Sequence, residues 1–363
     1  MTNEDIKDNC IINHKVFSET LMFYTELLRD IENAQKNICI EIFKFIDDSI
    51  GVKFRDALVK KSRQGVRIRL LIDSWGAIFS NNFFDELIKN GGQVRIFKKL
   101  RYNLDAFIQH HRRNHRKIVI IDDVIAYIGS ANINDYSINW REIIVKIEGN
   151  LAHAFKKAFN DSWKIYEKNI FNLKNQLRPL GCFNYKIIRD IPSITKQKIK
   201  KKFENLIKNA KKEIIIETPY FLPGFFLRKL LMDAGKRGVD VKILTPKHSD
   251  VSFVDIYRSK YLGILHKNKV NILFYTPNNL HAKLIVVDKE IFCFGSTNFD
   301  YRSFRYMFEI ILMGSNNNLM QDLLIHINET LDNCEPFNYD LWKRRPLIHK
   351  IFEQLLVPFR HYL

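Results

Sequence analysis

The chain has 363 residues, of which 46% are hydrophobic, and its 58 basic and 40 acidic side chains give a formal net charge of +18. This length accommodates two domains of ordinary size with substantial apolar cores. The strong positive charge favours an anionic partner, either a nucleic acid or an acidic membrane surface. The polar N-terminus does not resemble a secretory signal, and no run of about 18 apolar residues occurs, so we predict no transmembrane helix.

Cysteine and histidine usage argues against a disulfide framework and against a metal site. The number of cysteines is odd and no two have C-x-x-C spacing, a pattern compatible with a reducing cytoplasm. His110 and His111 lie close to His115, but no Cys or acidic cluster accompanies them, so metal binding is not favoured. We expect no cofactor. The cysteines are Cys10, Cys39, Cys182, Cys293 and Cys334.

The first half of the chain alternates between helical and strand patterns. Apolar residues at helical spacing predict a helix over 17–35, and the β-branched run at 38–45, which contains Glu41, predicts a buried strand. The elements that follow are predicted as a helix at 51–64, a strand at 66–73, a helix near 82–89, a strand at 93–97 and a helix at about 151–166.

The second half repeats this plan. Its strand at 213–220 aligns with 38–45, and Glu217 takes the place of Glu41. The remaining elements are predicted as helices at 196–212 and 225–237 and strands at 238–246 and 269–275. Alternation of helices and strands predicts an α/β fold built from two similar α/β/α sandwich halves. We assign residues 1–170 and 171–335 to the halves and 336–363 to a basic tail.

One stretch of 18 residues occurs in both halves. It reads HRKIVIIDDVIAYIGSAN at 115–132 and HAKLIVVDKEIFCFGSTN at 281–298. Each copy predicts a β-hairpin with a polar turn. If Ile121 pairs with Ile125, Lys117 lies opposite Gly129, and the second copy places Lys283 opposite Gly295. The shared polar residues are His115, Lys117, Asp122, Ser130 and Asn132, then His281, Lys283, Asp288, Ser296 and Asn298.

These residue types suit the chemistry of a phosphodiester. Lys, Asn and Ser can donate hydrogen bonds to phosphoryl oxygens and stabilise the charge of the transition state. His can attack phosphorus or transfer a proton near neutral pH. A displacement that uses one nucleophile and one general acid needs both copies. The halves should therefore pack as a pseudo-dimer with both hairpins facing one cleft. Asp122 and Asp288 lie a full strand length from the His, which favours a structural role.

The pattern H-x-K-x4-D followed by G-S-x-N resembles the signature of the phospholipase D superfamily. This resemblance implies the pseudo-dimeric fold and the motif residues above as the catalytic set. It also implies a Glu bonded to the far nitrogen of each His, for which Glu142 and Glu309 are the candidates. A carboxylate there would set the tautomer and raise the basicity of the attacking nitrogen. Each candidate stands in an apolar strand, where an unpaired charge would be costly.

The surrounding sequence resembles bacterial cardiolipin synthases from about residue 15 to 333. The segments that carry this resemblance include WREIIVKIEG (140–149), ETPYFLPG (217–224) and GSTNFDYRSF (295–304). The basic aromatic tail is similar to the shorter branch of that family, which lacks N-terminal transmembrane helices. The resemblance implies transfer of a phosphatidyl group between two phosphatidylglycerol molecules through a phosphatidyl-histidine. It also implies a peripheral location on the cytoplasmic side of the bacterial inner membrane.

Two features leave alternatives open. The segment 343–363 has apolar residues on one helical face and basic flanks, which fits either an anionic membrane surface or a terminal helix docked on the core. The aromatic segment 220–231 likewise fits membrane contact or core packing. For the reaction, a phospholipase D hydrolase would use the same residues. A nuclease is less favoured, because superfamily nucleases are often short single-motif chains, and a binding module would not require two His.

Overall fold

The computed structural model describes residues 10–97, 112–166 and 177–359. Within these ranges the chain forms two large mixed β-sheets with helices on their faces. The elements of the first half are β1 (Asn13–Glu19), α1 (Thr20–Asn33), β2 (Asn37–Ile46), α2 (Ser49–Arg63), β3 (Arg67–Ile78), α3 (Asp85–Lys89), β4 (Gln93–Phe97), β5 (Arg113–Asn114), β6 (Ile118–Ile121), β7 (Ile125–Gly129), β8 (Arg141–Glu148) and α4 (Leu151–Ile165).

The second half contains the corresponding elements and a C-terminal extension. They are β9 (Leu180–Cys182), β10 (Tyr185–Asp190), α5 (Lys198–Asn209), β11 (Glu213–Glu217), β12 (Phe221–Leu222), α6 (Phe225–Lys236), β13 (Asp240–Pro246), α7 (Ser252–Lys267), β14 (Val270–Tyr275), β15 (Leu284–Val287), β16 (Ile291–Gly295), β17 (Phe299–Asp300), α8 (Tyr301–Tyr306), β18 (Met307–Gly314), α9 (Asn317–Leu331), β19 (Cys334–Pro336), α10 (Tyr339–Lys343) and α11 (Leu347–Leu355).

Both sheets have the same strand order. The first runs β4-β3-β2-β6-β7-β8-β1, and the second runs β14-β13-β11-β15-β16-β18-β10 with β19 and β9 at its edges. In each sheet, three parallel strands adjoin the antiparallel hairpin formed by the repeated motif. The sequence repeat therefore marks a duplication of the complete sheet topology.

The buried apolar side chains form three large clusters, and one of them is shared by both halves. One cluster joins α1 and α2 to the outer face of the first sheet, and another joins α5, α6 and α7 to the outer face of the second. A third cluster combines α4 and α9 with the inner faces of both sheets. The predicted α/β/α halves are confirmed, and their inner helices form a common layer between the sheets. The domain limits near 170 and 335 stay a prediction.

The halves also exchange backbone hydrogen bonds at two places. Strand β5 of the first half pairs in parallel with the start of β18 in the second half. A parallel bridge joins Arg141, at the start of β8, to Leu280, which precedes the second motif. These two contacts are related by the duplication, because each brings the residue before a motif His against the strand that carries the opposite Glu.

Several predicted boundaries are wrong because tertiary pairing overrides local pattern. Residues 17–19 belong to β1, which pairs with β8, so the first helix begins at Thr20. The strand predicted at 213–220 ends at Glu217, shortly before Pro219, which has no N–H for a sheet bond. The tail predicted as one amphipathic segment over 343–363 forms the shorter helix α11, which begins just after Pro346. The helices α7 and α9 and the strand β10 were not predicted.

The expectation of no disulfide framework also needs correction. Cys10, which precedes β1, and Cys182, at the end of β9, form a disulfide with a Cα–Cα distance of 5.7 Å. Their separation of 172 residues in sequence hid the pairing, since spacing indicates disulfides only for neighbouring cysteines. The bond joins the two halves. Among the residues that the structure describes, no helix combines the length and apolar character needed to cross a bilayer.

Candidate active site

The two motif hairpins have the predicted register. Ile121 pairs with Ile125, and the corresponding pair in the second half is Val287 with Ile291. Gly295 donates its backbone N–H to the carbonyl of Lys283 at 3.2 Å, so these residues face each other. The register directs each motif His and Lys toward the same end of the sheet.

The glycine of each motif is required by the adjacent strand. A Cβ atom on Gly129 would lie 2.3 Å from the carbonyl oxygen of Ile143, and one on Gly295 would lie 2.3 Å from the carbonyl oxygen of Ile310. These distances are far below van der Waals contact, so no other residue fits. The close approach brings strands β8 and β18, which carry Glu142 and Glu309, against the hairpins.

Each motif His is bonded to the Glu of the opposite half. The Nδ1 atom of His115 lies 3.1 Å from Oε1 of Glu309, and the Nδ1 atom of His281 lies 2.8 Å from Oε1 of Glu142. A carboxylate at Nδ1 holds the proton there and leaves Nε2 for chemistry. Neither His–Glu pair can form within one half.

Backbone hydrogen bonds across the interface fix these pairs. The N–H of His115 donates to the carbonyl of Phe308 at 3.0 Å, and the N–H of His281 donates to the carbonyl of Arg141 at 2.7 Å. Phe308 and Arg141 each precede the Glu that the His contacts. The parallel contacts between the halves therefore set the position of both the imidazole and its carboxylate.

The motif serines hold the glutamates in place. Ser296 donates its hydroxyl to Oε2 of Glu309, and its Oγ accepts the N–H of Ile310 at 3.0 Å. Ser130 occupies the equivalent place, with its Oγ accepting the N–H of Ile143 at 3.0 Å. Both serines are fully buried. These contacts favour a supporting role for the two serines, whose part in binding phosphate stays a prediction.

The motif lysines lie beside the histidines. Lys117 donates from Nζ to the carbonyl of His115 at 2.8 Å, and Lys283 donates to the carbonyl of His281 at 2.7 Å. The Nζ atom of Lys283 is also 3.0 Å from Nε2 of His281. The ammonium group of Lys283 is therefore next to the nitrogen that would meet phosphorus, where it can neutralise a phosphoryl oxygen.

The motif asparagines complete the polar lining. The side-chain oxygen of Asn132 accepts the backbone N–H of Lys44 at 3.2 Å, which orients its amide group. The side-chain oxygen of Asn298 is buried and has no hydrogen-bond partner in the described part of the chain. Both side chains are suited to donate to a phosphoryl oxygen, as their place in the motif predicts.

The two histidines differ in electrostatic surroundings. Burial lowers the pKa of His115, and the positive charges of Lys117 and Lys283 lower it further. Burial also lowers the pKa of His281, but the carboxylate of Glu142 opposes that effect. Burial lowers the pKa of both lysines. The charge of Lys283 lowers the pKa of Lys117 further, whereas Glu142 and other carboxylates oppose the shift at Lys283, whose pKa falls to about 8.

The two glutamates differ as well. Burial is the largest influence on both, and it raises the pKa of Glu309. For Glu142, the charge and hydrogen bond of His281 act together with Lys283 and Ser130 to outweigh burial, and the pKa is lowered. Glu142 is therefore the carboxylate that stays ionised, and it can stabilise a positive charge on His281.

The motif aspartates lie at the far ends of the hairpins, away from the histidines. Asp122 accepts the backbone N–H groups of Gln35, Lys36 and Asn37 at 2.7–2.9 Å. Asp288 accepts the corresponding three N–H groups that lead into β11. These bonds attach each hairpin turn to the neighbouring strand. The aspartates, included in the catalytic set by resemblance, are placed where they can only support the fold.

Aromatic residues that sequence reasoning missed also contact the histidines. The ring of Phe43 lies 5.0 Å from that of His115, and the ring of Trp140 lies 5.1 Å from that of His281. Trp140 stands two residues before Glu142 in the sequence. Its nearness to that candidate residue is the signal that could have identified it. His110 and His111 lie outside the described residues.

Comparisons with known proteins agree with this geometry. The family described as cardiolipin synthase, PLD-like domain, matches residues 27–163 and 203–331. The major cardiolipin synthase ClsA of Bacillus subtilis is 32% identical over 367 residues, covering 94% of this chain and 76% of the relative. A cardiolipin synthase of Clostridium perfringens is 31% identical, covering 92% and 73%.

A solved structure has the same fold at low sequence identity. The phosphatidylserine synthase of Haemophilus influenzae superposes with a TM-score of 0.79 and 13% identity, covering 99% of this chain and 98% of that protein. This likeness concerns the fold alone. The family match, the relatives and the paired motifs together show that this chain belongs to the phospholipase D-like family of cardiolipin synthases.

Proposed function

We propose that this protein is a phosphatidyltransferase that joins two phosphatidylglycerol molecules into cardiolipin and releases glycerol. The observation that carries the proposal is the pair of histidines, each bonded through Nδ1 to a glutamate of the opposite half. Two such histidines in one cleft supply the nucleophile and the proton donor of a double displacement. The family membership supports the lipid as the substrate class.

In the first step, Nε2 of His115 attacks the phosphorus of the donor phosphatidylglycerol. The bond between phosphorus and the glycerol oxygen breaks, and protonated His281 gives its Nε2 proton to that oxygen. Glycerol leaves, and the phosphatidyl group remains on His115. The surroundings support this assignment, because burial and neighbouring cations favour neutral His115, whereas at His281 the ionised Glu142 opposes the effect of burial and favours a proton.

In the second step, His281 changes from proton donor to proton acceptor. Neutral His281 takes the proton from a glycerol hydroxyl of a second phosphatidylglycerol, and that oxygen attacks phosphorus. The bond between phosphorus and His115 breaks, and cardiolipin is formed. Lys117, Lys283, Asn132 and Asn298 stabilise the phosphoryl oxygens in both steps. The same side chains act in the forward and reverse transfers, so the reaction is reversible.

The C-terminal helix α11 supports docking on an anionic membrane. Its one buried residue is the charged Glu353, which forms a two-point ion pair with Arg345 at 2.7 and 2.9 Å. Its apolar residues face solvent instead. A helix whose apolar face is exposed does not dock on the core through that face. The exposed apolar face suits a lipid interface. The exposed apolar residues are Leu347, Ile348, Ile351, Phe352 and Leu355.

A second apolar surface lies next to this helix. Leu356 and Val357, just after α11, pack against Val254 and Tyr257 of α7 and against Leu222, which precedes α6. The first two residues of α6, Phe225 and Phe226, are 70% and 53% exposed. We propose that these surfaces hold the protein peripherally on the cytoplasmic face of the bacterial inner membrane, with phosphatidylglycerol as both substrate and anionic surface.

The test is a product analysis of labelled phosphatidylglycerol vesicles incubated with the purified protein. We expect cardiolipin and free glycerol, with both products lost in His115→Ala and in His281→Ala. Phosphatidic acid as the sole lipid product would reassign the protein as a hydrolase. Absence of any lipid turnover by the intact protein would refute the proposal, and nucleic acid would be the next substrate to examine.

A further inference from the structure

The cleft contains a cation that the motif chemistry does not use. Lys44, on β2, donates from Nζ to the hydroxyl of Tyr136 at 2.7 Å and lies 5.0 Å from the centre of its ring. Among the described residues, no carboxylate lies within ion-pair distance of Lys44. This hydrogen bond is open to solvent, so an incoming anion can reach the ammonium.

Lys44 belongs to the catalytic cleft rather than to the outer surface. Its backbone N–H is bonded to the motif residue Asn132, and its charge contributes to the lowered pKa of Lys117. Lys117 and Lys283 already serve the phosphodiester that reacts. Lys44 is thus a third ammonium in a cleft whose central phosphate needs two.

The aromatic neighbours of Lys44 place it on the His281 side. The ring of Tyr136 lies 5.3 Å from that of Trp140, and the ring of Trp140 lies 5.1 Å from that of His281. The charge of Asp250 raises the pKa of both Lys44 and His281, against the larger effect of burial. Lys44 is therefore separated from His281 by two aromatic rings.

The duplication places a different cation on the other side. Counting from the motif Asn, Tyr136 corresponds to Arg302, and counting from Glu41 and Glu217, Lys44 corresponds to Tyr220. Each half thus has one cation and one tyrosine at these two positions. The cation comes first in the first half, and the tyrosine comes first in the second half. Arg302 packs over Trp75 at 4.8 Å and influences His115. The cleft therefore has one flanking cation beside each histidine.

We propose that Lys44 binds the phosphate of the acceptor lipid, and so makes this site selective for an acceptor that is itself a phosphodiester. The argument rests on the proposed function, in which His281 deprotonates the acceptor. The acceptor hydroxyl must then lie at Nε2 of His281, and its own phosphate lies one glycerol unit away. Lys44 is the cation on that side of the cleft, whereas Arg302 is on the side of the nucleophile.

The experiment compares two acceptors that differ in whether they carry a phosphate. Phosphatidylglycerol vesicles are incubated with labelled glycerol, and two products are measured together. Transfer to glycerol gives labelled phosphatidylglycerol and transfer to a second lipid gives cardiolipin. Both use the same phosphatidyl-histidine, so their ratio reports only on the acceptor. The proteins compared are the intact chain, Lys44→Gln, Lys44→Arg and Arg302→Gln, with Arg63→Gln on the exposed face of α2 as the charge-matched control.

We expect Lys44→Gln to lower the ratio of cardiolipin to exchanged glycerol by about tenfold or more, the usual cost of losing a charge-assisted contact. Lys44→Arg should recover part of the ratio, and Arg63→Gln should leave it unchanged. Saturation curves should show the change as a raised half-saturating lipid concentration for cardiolipin formation.

Three outcomes would overturn the inference. They are an unchanged ratio in Lys44→Gln, a proportional loss of both products, and a selective loss of cardiolipin in Arg302→Gln alone. The last result would put the acceptor beside His115. Failure of the intact protein to make either product would instead refute the proposed function, so the two failures are distinguishable.

Discussion

Glu142 of the first half accepts a hydrogen bond from Nδ1 of His281 in the second half, with 2.8 Å between the atoms. Its duplicated counterpart joins Glu309 to His115 in the opposite direction. The active site is thus formed by exchange between the halves. Each half alone would have a His without its carboxylate and a buried Glu without its cation, and both arrangements are unfavourable.

The first prediction concerns this pair. Glu142→Gln should lower the rate of lipid transfer by about a hundredfold, because the amide cannot stabilise the positive charge on His281. The measurement is cardiolipin formation under saturating lipid. Glu148→Gln, at the other end of the same strand and partly exposed, is the matched control and should retain activity. A loss below about threefold in Glu142→Gln would contradict the assigned role.

The second prediction concerns pH. Burial lowers the pKa of Lys283 to about 8, although nearby carboxylates oppose the shift, and the proposed mechanism needs the charge of Lys283 beside a phosphoryl oxygen. A loss of activity should therefore accompany deprotonation of this ammonium as pH rises through about 8, in addition to the loss from deprotonation of His281 at lower pH. In Lys283→Arg, whatever activity remains should lack this alkaline decline, because guanidinium stays protonated. A decline at the same pH in that variant would assign the titration to another group.

The acid side of the profile follows from His115. Because burial and neighbouring cations lower its pKa below the usual 6.5, the nucleophile stays neutral at mildly acidic pH. We expect the rate to decline only below pH of about 6.5. Replacing the neighbouring cation in Lys117→Gln should raise the pKa of His115 and shift the acid limb of the residual activity upward. A shift in the other direction would contradict the electrostatic account.

The third prediction concerns Gly129. Its replacement by Ala would place Cβ 2.3 Å from the carbonyl oxygen of Ile143, so β7 and β8 must separate. We expect a loss of about 1–3 kcal/mol in the free energy of unfolding, as for other overpacked sites, measured by denaturant titration. Gly224→Ala is the control, because its Cβ would meet only the side chain of Tyr301 at 3.3 Å. Equal stability of both variants would show that the strands can adjust.

The fourth prediction concerns α11. Replacing Ile351 and Phe352 together by Ser should weaken binding to anionic vesicles by about tenfold or more, because both side chains would enter the lipid. The melting temperature should change little, since both are about half exposed at 54% and 47%. Glu353→Gln should instead lower the melting temperature, because it breaks the ion pair with Arg345, and should change vesicle binding little. Unchanged vesicle binding by the double Ser variant would exclude α11 as the membrane contact.

Local pattern was a good guide to parts of this fold. Ile121 and Ile125 pair as predicted because a short polar turn leaves few registers that keep both apolar faces buried. The central strands and most helices were recognised for the same reason. Residues 17–19 were misassigned because their apolar spacing suits a helix, while the hydrogen bonds of β8 hold them in a strand. The tail was recognised as amphipathic, but its orientation, with Glu353 inward, could not be read from the pattern.

By itself the sequence determined the duplicated motif, the hairpin register and the family, since each depends on residues close together in the chain. Only the tertiary structure decided which Glu serves which His, that Ser130 and Ser296 hold the glutamates, and that Lys44 lies on the His281 side. These relations join residues separated by more than a hundred positions or depend on side-chain direction. No local spacing encodes them, because they arise when the central apolar layer brings the two sheets together.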